Sequence, residues 1–351
     1  MKIEKLSVEK LWDKYSFDIK FNEQVTILIG KNGSGKTTIL NLLDELLSNG
    51  EKNNNYKFDK IKLQFNNDNL ISAEQKEFNI IDEMKKNNNI SKDKIKLLFK
   101  ELEKDILKKI DNDKNSKYIP ISLAKKIDSK SKIDYLFLST FDMEIKNEEL
   151  VHKHYDNSDI ETELDVLLND LITKFKLYQL KLKEKVEKIN QEFDTKLVEY
   201  ARDENLNLLK DKLLEKNKNI NIIYNNRDIF KNKINEFFKN TGKSIKLDEN
   251  NSIIFKLDDK NSLTPYQLSS GEKQILIIML SIMLLDNKPT IILMDEPEIS
   301  LHVEWQMIFI KTLLELNSNL QIIIATHSPD IILKGYRKNV ISLDNFKIKN
   351  S

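Results

Sequence analysis

The hydrophobic pattern of the first 29 residues is typical of β-strands. Apolar and polar residues alternate from Phe17 to Phe21, and residues 25–29 form an almost wholly apolar run. Alternation indicates a strand with one buried face, whereas a continuous apolar run suits a central strand that is buried on both faces. Residues 37–47 then have apolar side chains at helical spacing, and a Ser-Asn-Gly sequence follows them. We therefore predict strands over 1–29 and a helix over 37–47.

The next segment is polar and weakly patterned. Residues 51–130 are rich in Lys and Asn. Within and after it, the pattern favours short strands at 57–65, a helix at 92–110 and a buried strand at 135–140.

A long stripe of apolar residues at helical spacing lies within residues 160–216. The stripe consists of Leu171, Phe175, Tyr178, Leu182, Val186, Ile189, Phe193, Leu197 and Tyr200. Its steps of three and four residues average close to the period of an α-helix, so it predicts a long, nearly straight amphipathic helix. Two interpretations stay open: the helix packs on its own domain, or it projects as an arm to which a partner docks. We expect an interruption at Asn217-Lys218-Asn219 and a second helix over 227–239.

The C-terminal third alternates between strand and helix patterns. Thr241-Gly242 predicts a turn, and the alternating residues at 245–257 predict a β-hairpin. Further on we predict helices over 271–285 and 299–317 and strands over 290–294, 320–325 and 340–343. Strands that alternate with helices indicate an α/β fold with a mixed, largely parallel sheet flanked by helices.

Composition excludes some kinds of site. The 351 residues include no cysteine, which excludes disulfides and thiolate metal sites, and only four histidines. The 57 basic and 56 acidic residues nearly balance, so net charge gives no argument for nucleic-acid binding, although a local basic face could exist. The N-terminus lacks the apolar core of a signal peptide, and the longest apolar run is too short to span a bilayer. We expect a soluble, cytoplasmic protein with no membrane partner.

The segment Gly30–Thr37 has the full pattern of a phosphate-binding loop, G-x-x-x-x-G-K-T, between a predicted strand and a predicted helix. Glycines let backbone N–H groups converge on phosphate oxygens, and the following helix directs its positive end toward the same charge. Lys36 should neutralise the β- and γ-phosphates, and Thr37 should ligate Mg²⁺. The expected ATP-binding residues of this segment are Gly30, Asn32, Gly33, Ser34, Gly35, Lys36, Thr37 and Thr38.

Two acidic residues end the predicted strand 290–294. Asp295 is placed to hold Mg²⁺, directly or through water, and Glu296 is placed to orient and deprotonate the attacking water. Acidic residues also end strands for other reasons. Together with the phosphate loop, however, the pair predicts nucleotide hydrolysis.

Three further motifs resemble those of ABC-class ATPases of the AAA family. The matching segments are Leu268-Ser269-Ser270-Gly271-Glu272, which resembles the ABC signature, Asp295-Glu296-Pro297, which resembles the Walker B ending, and Ala325-Thr326-His327-Ser328, which resembles the switch-histidine loop. With the phosphate loop, they occur in the order of that family and cover roughly residues 1–50 and 262–345. The resemblance implies a P-loop NTPase fold with an ABC-type ATPase head. Residues 1–150 and 241–351 are then expected to form the head, and residues 151–240 a helical insertion.

The resemblance also implies an ATP-sandwich homodimer, or a higher even oligomer, that needs ATP and Mg²⁺. Each nucleotide would lie between the phosphate loop of one subunit and the signature of the other. Ser269 and Gly271 would contact the γ-phosphate across the interface, and His327 would contact it within its own subunit. Glu296 and His327 are therefore the expected catalytic residues.

Within the class, the sequence is similar to the RecF/SMC-like group, the overcoming-lysogenisation nucleases and the ATPases of bacterial anti-phage systems. Its D-E-P-E-x-x-L-H run ends at His302, which we expect to be structural, as a cap or in packing at the dimer interface, and Val303 replaces the Pro that many members carry. The sequence has no convincing Q-loop glutamine. Phe141-Asp142 follows the predicted strand 135–140, and Gln64 is a poor alternative.

Three functions stay open. A regulator of a separate effector, such as a nuclease or toxin in anti-phage defence, is favoured because every recognisable motif serves ATP and no nuclease motif follows residue 345. A DNA-repair or DNA-binding ATPase is the alternative, for which Lys181, Lys183, Lys185 and Lys188 could supply a basic face. The helical insertion and the missing transporter-type ending argue against a transporter subunit.

Overall fold

A computed structural model describes residues 1–48, 56–77, 118–126, 133–139, 160, 162–202, 206–249, 251–257, 261–333 and 335–345. The chain forms two compact units. The first comprises residues 1–21, 41–132 and 345–351, and the second comprises residues 22–40 and 133–344. The predicted helix at 92–110 and the segment after the strand at 135–139 lie outside the described residues. The expected three-part division at residues 150 and 240 stays a prediction.

The described residues include thirteen strands and six α-helices, besides four short 3-10 helices. The strands are β1 (Ile3–Leu11), β2 (Tyr15–Lys20), β3 (Val25–Ile29), β4 (Lys60–Phe65), β5 (Leu70–Glu77), β6 (Tyr118–Lys126), β7 (Tyr135–Ser139), β8 (Ser244–Leu247), β9 (Ile253–Lys256), β10 (Ser262–Leu263), β11 (Thr290–Asp295), β12 (Leu320–Ala325) and β13 (Val340–Ser342). The helices are α1 (Lys36–Leu47), α2 (Glu163–Arg202), α3 (Leu206–Phe238), α4 (Ser270–Met283), α5 (Val303–Leu316) and α6 (Pro329–Leu333).

The first unit contains an antiparallel five-stranded sheet in the order β2-β1-β4-β5-β6. Ile3, Leu6, Val8 and Leu11 of β1 are buried. Only Leu6 and Val8 are two residues apart, because register irregularities between Ile3 and Lys5 and between Val8 and Leu11 interrupt the alternation.

The second unit contains a parallel five-stranded sheet in the order β13-β3-β12-β11-β7. Every residue of β11 and β12 is buried, which explains their continuous apolar sequences. The register pairs Asp295 with Ala325 and Ala325 with Leu28, so the carboxyl ends of β11, β12 and β3 meet at one edge. The phosphate loop leaves β3 at this edge. The structure confirms the predicted α/β fold.

Helix α4 forms the apolar centre beside this sheet. Its residues from Ile275 to Leu280 are all buried and belong to the same cluster as Phe309 of α5 and Ile322 of β12. The helix predicted over 271–285 is therefore confirmed as a buried helix.

The segment predicted as a helical insertion contains two long helices, α2 and α3, rather than one long helix and a short second one. Helix α2 agrees with the predicted stripe. The predicted interruption at Asn217-Lys218-Asn219 is wrong, because α3 continues through it. The three residues are exposed, and the intrinsic cost of Asn in an exposed helix position is only about half a kcal/mol, which the helix tolerates.

The two halves of the insertion differ in burial. Near the sheet, Leu168, Ile172 and Phe175 of α2 and Phe230 and Ile234 of α3 are buried in the apolar cluster. By contrast, residues 183–197 of α2 and 207–225 of α3 include no buried residue. One half thus packs on its own unit, as the first interpretation of the stripe proposed, and the other half presents two largely exposed helices.

The remaining elements follow the predictions closely, with one correction. β8 and β9 form the expected antiparallel hairpin, and Gly242 has a φ of 67° at the expected turn before it. Helix α5 begins at Val303 rather than at residue 299. The residues before it form a loop in which Ser300 has a φ of 74°, a value that a helix does not accept.

Candidate active site

The phosphate loop has a backbone that only its glycines allow. Gly33 has a φ of 80° and Gly35 a φ of 94°, where side chains cause strain. A Cβ atom at Gly30 would lie 2.4 Å from Ser34 Oγ. Glycine is therefore required at Gly30 by close approach and at the other two positions by conformation.

The loop has polar groups that suit a phosphate chain. Ser34 Oγ is buried and has no hydrogen-bond partner among the described residues. Asn32 and Gly33 are exposed at the tip of the loop, and α1 begins at Lys36 with its N-terminal N–H groups directed toward the loop. A hydroxyl and several backbone donors around one helix N-terminus fit a polyphosphate.

Lys36 connects the phosphate loop to the switch-histidine loop. Its ammonium donates to the Gly30 carbonyl oxygen at 3.2 Å and contacts His327 Nε2 at 2.6 Å. Since a lysine ammonium has only donors, this contact uses the unprotonated Nε2 as the acceptor. Lys36 is only 5% exposed, so the ammonium is shielded from water, whereas His327 is exposed.

Thr37 and Asp295, the two predicted Mg²⁺ ligands, lie together. The Thr37 hydroxyl is hydrogen-bonded to the Asp295 carboxylate, which is buried at the end of β11. Burial raises the pKa of Asp295, the Thr37 hydrogen bond opposes this, and Glu296 and Glu298 raise the pKa further. Hydroxyl and carboxylate oxygens are ligands that Mg²⁺ prefers, so the pair fits the metal.

Glu296 lies beside His327 on a strained backbone. Its φ is 47°, and its backbone N–H donates to the Ala325 carbonyl oxygen at 2.8 Å. Glu296 Oε1 is 3.5 Å from His327 Nε2. A non-glycine residue in this region of backbone space costs roughly 1–2 kcal/mol, a cost that commonly accompanies functional sites.

Glu298 holds the loop that carries His327. Its Oε1 accepts hydrogen bonds from the backbone N–H groups of His327 at 2.9 Å and Ser328 at 3.1 Å, and from the Thr326 hydroxyl. Sequence analysis gave Glu298 no role of its own. Its place in the D-E-P-E run was the available signal, but the contact depends on β12 ending beside β11.

The signature serine is the N-cap of α4. Ser269 and Glu272 form a capping box, in which Ser269 Oγ accepts from Glu272 N–H at 3.4 Å and Ser269 N–H donates to Glu272 Oε2 at 2.9 Å. Ser269 Oγ also donates to Glu272 Oε2 at 2.9 Å. Glu272 is buried and forms an ion pair with Lys243 at 2.7 Å, whereas Ser269 itself is exposed. Burial raises the pKa of Glu272, but the hydrogen bonds from Lys243 and Ser269 outweigh it and hold the pKa below its usual value.

A close contact within the same subunit explains why residue 271 is a glycine. A Cβ atom there would lie 2.4 Å from the carbonyl oxygen of Ser300, in the loop between β11 and α5. The neighbouring Gln274 Nε2 donates to the Pro297 carbonyl oxygen at 3.1 Å. The first turns of α4 are therefore tied closely to the loop that follows Glu296.

A second ion pair ties the signature helix to the insertion. Lys273 Nζ lies 2.7 Å from Asp165 Oδ1, and the two side chains are 12% and 2% exposed. Asp165 also accepts from the backbone N–H and the hydroxyl of Thr162 at the start of α2. The Ser269 end of α4 thus rests on α2 through one ion pair and on the β8 side through the other.

The structure brings most predicted site residues into one place. The phosphate loop, Asp295, Glu296 and His327 are joined by the contacts above, whereas the contacts of Ser269 and Gly271 are with Glu272 and Ser300. His302 packs edge-on against Trp305 with ring centroids 5.7 Å apart, and its side chain makes no capping hydrogen bond. Gln64 is exposed on β4 of the first unit, and the residues after β7 lie outside the described chain.

Known proteins similar to this chain include ATPases and an ATP-binding protein. The AAA ATPase domain family matches residues 1–332. The retron Vc95 probable ATPase of Vibrio cholerae serotype O1 biovar El Tor is 25% identical over 370 residues, which cover 92% of this chain and 70% of that protein. The lipoprotein-releasing system ATP-binding protein LolD of Buchnera aphidicola subsp. Acyrthosiphon pisum (strain APS) is 39% identical over 82 residues, 23% of this chain and 35% of that protein.

Solved structures give a more distant likeness. The Smc head domain of Pyrococcus furiosus, bound to the C-terminal domain of ScpA, has 15% identity and a TM-score of 0.44, with 97% of this chain and 93% of that chain covered. The SMC head domain of Thermotoga maritima has 15% identity and a TM-score of 0.41, with 95% of this chain and 91% of that chain covered.

Among the helices that the structure describes, none combines the length and the hydrophobicity that a membrane span needs.

Proposed function

The chain belongs to the AAA ATPase domain family, and from this premise we propose that it hydrolyses ATP in two composite sites of a head-to-tail homodimer. The observation that carries the proposal is the group of side chains at the carboxyl edge of the parallel sheet. There Lys36 contacts His327, His327 lies beside Glu296, and the Thr37 hydroxyl is hydrogen-bonded to Asp295. This set supplies a cation that can bind phosphate, a carboxylate that can act as the base and ligands for a metal ion.

Each residue has a proposed task in hydrolysis. Thr37 and Asp295 would hold Mg²⁺, which would neutralise charge on the phosphates when bound. Lys36 would transfer its hydrogen bonds from Gly30 and His327 to phosphate oxygens. Glu296 would orient and deprotonate water, and the released His327 would contact the γ-phosphate.

The dimer is supported by what the signature end exposes. Ser269 and Ser270 are exposed at the N-terminus of α4. The apolar side chains of Ile299, in the adjoining loop, and Val303, at the start of α5, are 41% and 53% exposed. A helix N-terminus with an exposed serine can receive a phosphate from a second subunit. Exposed apolar residues beside it suit a protein interface.

We further propose that the ATPase regulates a separate effector protein, a nuclease or toxin, in bacterial anti-phage defence. The retron Vc95 probable ATPase, which aligns with 92% of this chain, supports the proposed ATPase activity. The exposed halves of α2 and α3 are the proposed docking surface. The Lys273–Asp165 ion pair supports this, because it connects the base of that insertion to the signature helix.

DNA binding is the weaker alternative. Lys181, Lys183, Lys185 and Lys188 are exposed on α2, as a basic face requires, but Glu184 and Glu187 are exposed between them. The charge on this surface is therefore mixed. Duplex DNA binding that weakens steeply with salt would favour the alternative.

The composite site can be tested with two complementary variants. Ser269→Arg blocks the signature and Glu296→Gln removes the base, so each homodimer should bind ATP but not turn it over. We expect Glu296→Gln to accumulate an ATP-bound dimer. A heterodimer, purified through a different tag on each variant, would regain one intact site and about half of the wild-type rate, because a two-fold dimer has two sites.

A heterodimer of Ser269→Arg and Ser269→Ala is the matched control, since neither subunit offers a normal signature. It should stay far below the complementing pair. No recovery in a well-formed complementing heterodimer would refute the head-to-tail arrangement. Absence of Mg²⁺-dependent hydrolysis by the wild-type protein would refute the ATPase proposal itself, and co-purification from the native operon would identify the effector.

A further inference from the structure

Glu298 contacts all three residues of the turn that carries His327. We define Thr326–Ser328 as the switch turn. One oxygen of Glu298 accepts both backbone N–H groups of His327 and Ser328 and the Thr326 hydroxyl. We propose that Glu298 is a positioning residue for hydrolysis, which holds His327 in line with Lys36 and Glu296; this rests on the proposed ATPase function.

The geometry of His327 makes such support necessary. Its side chain is 39% exposed, so packing does not fix the imidazole. Its orientation depends on the backbone of the switch turn and on the 2.6 Å contact with Lys36. The Lys36 contact must break when phosphate takes the lysine, which leaves the backbone as the lasting support.

The hydrogen bonds of Glu298 are not needed to cap helix α6. Helix α6 follows the switch turn, and its first N–H groups are satisfied by Ser328, whose Oγ accepts from Asp330 at 3.1 Å and Ile331 at 3.4 Å. Ser328 Oγ in turn donates to Gln306 Oε1 at 2.6 Å. The Glu298 hydrogen bonds lie before this cap and constrain the turn itself.

The negative charge of Glu298 has an electrostatic cost that a neutral acceptor side chain would not have. All three donors to its Oε1 are neutral groups. Its negative charge is one of the influences that raise the pKa of Asp295. An ionised acceptor nevertheless makes shorter and stronger hydrogen bonds than an amide, so a carboxylate holds the turn more firmly.

Glu298 also belongs to the same short segment as the proposed base. It follows Glu296 by two residues, and its own carbonyl oxygen accepts from Leu301 N–H at 2.9 Å, while Ile299 N–H donates to the Glu296 carbonyl oxygen at 3.2 Å. Glu296 and His327 thus share one support. Any shift of this segment would move both groups together.

The kinetic test compares Glu298→Ala in two backgrounds. In the wild-type background we expect kcat to fall about 100-fold with little change in KM, because a misplacement of about 1 Å can cost that much. In a His327→Ala background the same change should lower kcat no further. Glu298→Gln keeps an acceptor oxygen and should restore most of the loss. Glu249→Ala, an exposed glutamate in the β8–β9 turn, is the matched control and should behave as wild type.

A second measurement does not depend on hydrolysis. With four histidines in the chain, the imidazole nitrogen resonances of His327 can be assigned by substitution and followed by NMR. We expect Glu298→Ala to shift and broaden them in the nucleotide-free protein, and Glu249→Ala to leave them unchanged. If Glu298→Ala does not fold, Thr326→Val removes one donor from the same carboxylate and should give a smaller shift in the same direction.

The possible results separate the two proposals. An equal fall in kcat with and without His327, or unchanged His327 resonances in Glu298→Ala, would overturn the positioning role. A wild-type protein without ATPase activity would end the proposed function, and the NMR comparison would still decide whether Glu298 orders His327.

Discussion

The two ends of the proposed composite site treat charge in opposite ways. At the phosphate-loop end, Asp295 lies beside Glu296 and Glu298; burial does most to raise its pKa, and the two acidic neighbours raise it further. At the signature end, buried Glu272 faces Lys243, and the ion pair keeps its pKa low. The acidic cluster at the phosphate-loop end lowers the stability of the nucleotide-free fold but leaves carboxylates available to a metal ion. The ion pair at the signature end stabilises the fold and holds Ser269 through Glu272. Removal of a charge should therefore stabilise the phosphate-loop end and destabilise the signature end.

The largest effect is expected at the signature end. Lys243→Ala would leave the buried Glu272 carboxylate without its ammonium and should lower the free energy of unfolding by about 3 kcal/mol. Urea unfolding at neutral pH would measure this. Because the pKa of Glu272 is depressed in the folded protein, the stabilisation is present above its unfolded value and is lost as pH falls through the folded value. The difference between variant and wild type should therefore narrow in acid.

Lys246→Ala is the matched control for that prediction. Lys246 lies on β8, which directly follows Lys243, and is exposed, so its loss should change stability little. Similar losses in both variants would show that the ion pair does not stabilise the signature end in particular.

A smaller effect is expected where the two ends meet. Gly271→Ala would place a Cβ atom 2.4 Å from the Ser300 carbonyl oxygen, so the backbone must move. We expect a loss of about 2 kcal/mol in thermal unfolding and a lower kcat, because Ser300 follows the Glu296 segment. Ser270→Ala, in the same exposed turn, should keep the stability. A fully stable and active Gly271→Ala would show that the close contact is not required.

The smallest effect should have the opposite sign. Asp295→Asn removes a buried charge from beside two other acids and should raise the stability of the nucleotide-free protein by about 1 kcal/mol while Mg²⁺-dependent hydrolysis is lost. Since the pKa of Asp295 is raised by folding, its ionised form destabilises the fold above that pKa, and the gain should shrink as pH falls through it. Exposed Asp211→Asn should show neither change. A destabilised Asp295→Asn would contradict the comparison between the two ends.

The sequence predicted those parts of the molecule that depend on local pattern. The apolar runs of β3, β11 and β12 and the spacing of the phosphate loop were enough to place Lys36 and Thr37 at the start of the helix after β3, and Asp295 and Glu296 at the end of β11. Parallel strands then bring such ends to one edge, so the cluster could be expected.

Other features depend on contacts that no local pattern records. Glu298 meets the switch turn 29 residues further along the chain, and Lys243 meets Glu272 across the same sequence distance. Helix α3 continues through Asn217-Lys218-Asn219, where local propensity indicated a break. The reach of Ser269 into a second subunit stays a prediction, because one chain alone contains only half of that site.

The contact between Lys36 and His327 bears on ligand selection. The resting lysine already has two acceptors, the Gly30 carbonyl and the imidazole, and is almost completely shielded from solvent. An incoming anion must replace both before it gains anything from the ammonium. Free phosphate or sulfate offers little else in exchange, whereas a triphosphate also engages the backbone donors of the loop and the helix N-terminus. The apo protein should therefore discriminate against small inorganic anions, so that millimolar cellular phosphate competes poorly with nucleotide.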